Sequence, residues 1–68
     1  MTWNPGDRIT WHYSPSKGKT EPIPGVVIEV KRCRVAIRVF LRGSLERRHV
    51  DPERITSRTQ YVKGLDDE

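Results

Sequence analysis

The 68-residue chain has one cysteine, Cys33, so no internal disulfide can staple it. It also lacks any run near the roughly 20 apolar residues of a membrane-spanning helix. Its longest apolar stretch, Val35 to Leu41, is broken by Arg38. The opening Met1-Thr2-Trp3-Asn4-Pro5-Gly6 has neither the basic start nor the apolar core of a secretory signal. These absences predict a cytoplasmic protein with no membrane contact. Histidine is scarce too. His12 and His49, with Cys33, form no metal-ligand spacing, so neither metal nor cofactor is expected. There is no glycine-rich phosphate loop and no nucleophile beside a base. Asp51 and Glu53 are a carboxylate pair that helix capping explains. No enzyme is expected.

Hydrophobic residues make up only 34% of the chain, and a domain this small buries roughly 60% of the surface its unfolded chain exposes. That is one domain, without depth for a private pocket.

What is present reads as strands and turns. After the Asn4-Pro5-Gly6 turn, Ile9, Trp11 and Tyr13 fall on one face and Arg8, Thr10 and His12 on the other. Residues 14 to 25 hold three of the five prolines and read as a polar loop, mobile at Lys17-Gly18-Lys19 and extended around Pro22-Ile23-Pro24. Val26, Ile28 and Val30 then alternate with Val27, Glu29 and Lys31, as in a half-buried strand. Beyond a turn at Arg32-Cys33, Val35, Ile37, Val39 and Leu41 share a face opposite Arg34, Ala36, Arg38, Phe40 and Arg42. Gly43-Ser44 is predicted as a two-residue hairpin turn. Counting back from it pairs Phe40 with Arg47, Arg38 with His49 and Ile37 with Val50. Asp51-Pro52-Glu53 carries the signature of a capped helical turn, with Asp as N-cap and Pro in the first position. Ile55 returns to the core, and Thr56-Ser57-Arg58 forms a last short strand. From Thr59 the pattern is lost, and Asp66-Asp67-Glu68 reads as an acidic, partly disordered tail.

The predicted fold class is therefore all-β, five strands with one short 3-10 or α turn before the last. Gly6-Asp7-Arg8-Ile9, Gly25-Val26-Val27 and Val50-Asp51-Pro52-Glu53-Arg54-Ile55 carry a resemblance across residues 5 to 58. In this layout the chain resembles SH3-like small barrels, more narrowly the KOW and Tudor-type barrels of prokaryotic proteins. The resemblance implies a barrel over residues 1–58 followed by a tail over 59–68. That architecture serves ribosomal proteins, transcription factors, RNA chaperones, accessory subunits and peptide-binding adaptors, so the site must decide the function.

Charge narrows the choice. Residues 29–58 hold nine Lys or Arg against four carboxylates, a net +5 within a chain of +4. Eight of those nine are arginine, whose planar fork grips phosphate or carboxylate and stacks on rings. Alternation puts Arg34, Arg38, Phe40 and Arg42 on one outer face, with Arg47 and His49 on the neighbouring strand. Cations around an exposed ring suit single-stranded nucleic acid, bound without sequence specificity. An acidic partner protein docking on the same face, with this chain as its accessory subunit, is the alternative; a solvated face without a ligand is the plain one. Trp11 reads as core and Trp3 as a lid on one open end. Tyr13, at the root of the loop, and Lys17 and Lys19 within it are candidate partner contacts. A groove for basic, proline-rich peptides is disfavoured, because the loop sets those two lysines against Glu21 alone. Binding by the arginine face predicts steep salt dependence.

Overall fold

A computed structural model describes residues 3–66. One antiparallel sheet holds five strands: β1 (Arg8–Ser16), β2 (Lys19–Val30), β3 (Val35–Leu41), β4 (Ser44–Val50) and β5 (Ile55–Ser57). Their order is β4-β3-β2-β1-β5, so β4 and β5 are the edges and the sheet is not closed. It is nevertheless curled. Ile9, Ile23, Val27, Val35, Ile37, Val39, Val50 and Ile55 come from all five strands, yet with Trp3 they form one buried cluster. A flat sheet could not bring its two edge strands into one core. A ladder irregularity between Val27 and Glu29 supplies part of the bend.

The inner face of β2 is not the expected Val26, Ile28 and Val30, because the alternation that buries Ile23 and Gly25 runs on to Val27 before the irregularity. Ile23, Gly25 and Val27 lie inside, whereas Val26 and Ile28 are half-buried and Val30 is exposed. Gly25 is where β2 passes closest to its neighbours. A Cβ there would lie 3.0 Å from the Arg38 carbonyl and 3.0 Å from Ile9 Cδ1. On β3, Val35, Ile37 and Val39 are buried as their alternation predicts. The cap at Asp51 is likewise present. Its carboxylate accepts from the Glu53 N–H at 2.9 Å, opening the 3-10 turn Pro52–Arg54, and Ile55 follows into the core.

Two further expectations need correction. Residues 14 to 25 are not a loop: β1 and β2 form a long hairpin paired through Tyr13–Glu21 and Ser16–Lys19. Prolines are tolerated because β2 meets β3 only from Gly25 onward. Pro22 and Pro24 therefore sit where β2 has β1 as its one neighbour, and no donor is needed on the open side. The β3–β4 turn is Arg42-Gly43, not Gly43-Ser44. Leu41 faces Ser44, and the pairs are Phe40–Leu45, Arg38–Arg47, Ala36–His49, Ile37–Arg48 and Val35–Val50. The register thus differs by two residues, which leaves each side chain on its expected face. Gly followed by Ser suits a type II′ turn. The chain instead adopts a turn with both central residues at positive φ, Arg42 at 53° and Gly43 at 80°.

The segment after β5 packs on the outer face of the sheet. Leu65 is fully buried, and the Leu65 and Asp66 amides close a turn onto the Val62 carbonyl. Asp66 points inward to Arg58, with both its oxygens on the guanidinium at 2.7 and 2.9 Å. Arg8 lies 3.8 Å from the same carboxylate and spans the Tyr61 ring at 5.8 Å. Of the expected tail, Asp67 and Glu68 lie outside the described residues.

Two outcomes follow for stability. The Arg58 hydrogen bond, helped by the Val62 amide and the nearby cations, holds the Asp66 carboxyl down at about 2, against its ordinary 3.8. A carboxyl depressed by folding stabilises the fold above its unfolded value, and that contribution disappears as pH falls from about 4 through 2. Asp66→Asn strands a buried guanidinium and should cost about 3 kcal/mol at neutral pH. In acid titrations followed by circular dichroism, this variant should lack the wild type's loss of stability over that window. Separately, Arg42→Asn suits the positive φ better and should raise stability by roughly 0.5 kcal/mol in urea unfolding.

Candidate functional site

The alternation that sends Ile9 into the core carries Trp11 and Tyr13 toward the end of the sheet, where β1 begins to extend beyond the core. Both rings pack against the core and remain half-buried. Their centroids are 4.9 Å apart and their planes are inclined by 43°. They line an open groove of about 330 Å³. Its other walls come from three places that the topology gathers: Arg34 before β3, His49 to Asp51 at the end of β4, and Arg54 closing the 3-10 turn. His12 and Ser14 complete the β1 side.

Hydrogen bonds position several of these groups. The Arg54 guanidinium donates to Ser14 Oγ at 3.5 Å, a long contact spanning the groove wall. A His12 ring nitrogen lies 3.0 Å from Thr56 Oγ1 on β5. Asp51 is the one carboxylate in the lining, and one of its oxygens is engaged by the cap. The groove therefore combines an apolar aromatic wall with two guanidinium groups on its rim. Among the described residues, no three His, Cys, Asp or Glu side chains gather as metal ligands would.

The residues predicted from sequence divide into three sets, with Arg38 apart from all of them. Arg34, His49 and Tyr13 meet in the groove. Phe40, Arg42 and Arg47 lie along the β3–β4 hairpin, with Phe40 opposite Leu45 and Arg47 opposite Arg38. Lys17 and Lys19 flank Gly18 at the tip of the β1–β2 hairpin, away from the groove lining. Arg38 is half-buried and donates to the Leu65 carbonyl at 3.1 Å, so it serves the packing of the C-terminal segment. The corrected register also removes the direct Arg38–His49 and Phe40–Arg47 pairings.

Sequence reasoning did not assign Trp11, His12, Ser14, Val50, Asp51 or Arg54 to the site, and Trp11 and Arg54 matter most among them. Trp11 shares its face with Ile9, and that alternation reads as core; the signal was the second aromatic, Tyr13, two residues on. Arg54 ends a capped turn, where nothing local indicates that it faces Ser14, forty residues earlier in the chain. No protein-family model, curated protein or solved structure matches this chain, so the reading of the groove rests on its own residues.

Proposed function

We propose that this chain is a small, non-catalytic binding module for single-stranded nucleic acid. The observation that carries the reading is the tilted Trp11–Tyr13 ring pair beside Arg34 and Arg54 in one open groove. Base–aromatic stacking contributes roughly 1–3 kcal/mol per base, and guanidinium groups at the rim can take the flanking phosphates. A duplex hides its base faces in the stack and offers phosphates only. The groove is shallow and carries no recognition helix, which supports weak sequence preference.

The fold reading is consistent with that role. The β4-β3-β2-β1-β5 order, the long first hairpin and the 3-10 turn before β5 support the reading of an SH3-like small barrel, in a sheet whose edges β4 and β5 are not paired. No helix among the described residues is long and apolar enough to cross a membrane. An acidic protein surface is the competing occupant of the same cations, but it makes no particular demand on the rings.

The two occupants separate in a titration at about 50 mM salt, where phosphate contacts are strongest. Labelled oligothymidylate should bind and quench tryptophan fluorescence. With a phosphate on each of the two rim guanidinium groups, the groove should contribute a slope of about −1.4 to log K against log salt. Trp11→Phe keeps a ring and should bind within about threefold of wild type, whereas Tyr13→Ser should weaken binding about tenfold. Arg34→Ala should lower the slope by about 0.7. Absence of binding to any oligonucleotide at low salt would overturn the reading in favour of an acidic protein.

A further inference from the structure

The end of β4 lines the groove, and β4 is an edge strand. His49 lines the groove. Two and four residues back along the same face come Arg47 and Leu45, a distance of roughly 14 Å at 3.4 Å per residue. Both are exposed, Leu45 by 45%. Across the ladder, Leu45 stands opposite the half-buried Phe40, and Arg42 follows in the turn. This face of β3 and β4 comprises Ala36, Arg38, Phe40, Leu45, Arg47 and His49, with no carboxylate among them; Glu29 of β2 stands beside Ala36, at the far end from Phe40 and Leu45. The one acidic residue of β4, Glu46, lies on the opposite face and is bound to Arg48. A strip that carries cations and an apolar step, and that begins at the groove, is the surface a threaded polyanion needs.

We infer that the bound strand continues out of the groove along β4, with Arg47 and Arg42 on its phosphates and the Phe40–Leu45 pair beneath a base. This rests on the groove reading above and extends it from a single-base site to one of roughly four to six nucleotides. The direction of travel follows from the topology. From Asp51 the chain turns into the 3-10 segment that carries Arg54, which bounds the groove on that side. Toward Ser44, β4 has a strand on only one side and presents its outer face as a continuous track.

The test is a length series. Oligothymidylates of two, four, six, eight and twelve nucleotides are titrated into the intact chain at about 50 mM salt. Amide shifts follow the weak dinucleotide, and anisotropy follows the longer oligonucleotides. Affinity should rise at least thirtyfold from two to six nucleotides and then flatten apart from the statistical gain. The ratio of hexanucleotide to dinucleotide affinity should fall about tenfold in Arg47→Ala. In Phe40→Leu, which preserves apolar packing and removes only the ring, it should fall about fivefold. A wild-type ratio near one, or a ratio indifferent to both substitutions, would overturn the extended track while leaving the groove intact. Failure of every oligonucleotide to bind would remove the groove reading and the track together.

Discussion

The guanidinium of Arg58 spends all five of its N–H groups inside the molecule. Nε donates to the Ile9 carbonyl and Nη2 to the Gly25 carbonyl, at 3.0 and 2.9 Å, tying β1 to β2 in the middle of the sheet. Nη1 reaches the Gln60 carbonyl, and the two terminal nitrogens together hold both oxygens of Asp66. Its side chain is 6% exposed and that of Asp66 only 1%, so the pair is removed from water. Desolvating two charges is costly, and bidentate geometry with every donor satisfied is the condition under which the cost is offset. A chain with few apolar residues and no disulfide depends heavily on such a joint. Leu65 enters its buried position on the neighbouring residue, so apolar packing and ion pairing are fastened at one point. Gly25 takes part as well, since any side chain there would meet the Arg38 carbonyl and Ile9.

This joint changes how the chain's basic charge is to be counted. Nine cations lie between Glu29 and Arg58, but they are not one reservoir. Arg58 is consumed by the fold, Arg38 supports the Leu65 carbonyl, and Arg48 is bound to Glu46. What is presented outward is a smaller set of six: Arg34 and Arg54 around two rings, Arg47 on an edge strand with Arg42 in the turn before it, and Lys31 and Arg32 in the β2–β3 turn. The sequence arithmetic therefore overstates the breadth of the basic surface and understates its organisation.

How much was legible in the sequence follows from the range of each signal. The Asp51 cap, the buried alternation of β3 and the return of Ile55 are local patterns, and each appears where the residues indicate. The β1–β2 hairpin was hidden because prolines argue against a strand, and only the absence of a third strand beyond Gly25 makes them harmless. The β3–β4 register turned on whether Arg42 would accept a positive φ, which no pattern in an arginine announces. The partnership of Arg58 with Asp66 joins a strand end to a segment without periodicity, so neither residue looked structural. On the candidate site, Tyr13, Arg34 and His49 were recognisable as surface groups, but their convergence with Trp11 and Arg54 is a product of curvature.

The β1–β2 hairpin has a mechanical consequence. Beyond the core it is a two-stranded arm, stiffened by Pro15, Pro22 and Pro24, whose fixed φ angles limit bending. Its root is made of Tyr13 and Ser14, which are also the wall of the groove. The arm is thus anchored in the wall of the groove, with Lys17 and Gly18 at its free end. The residues that join the arm to the body of the sheet are therefore the same ones that Arg54 faces across the groove, through Ser14.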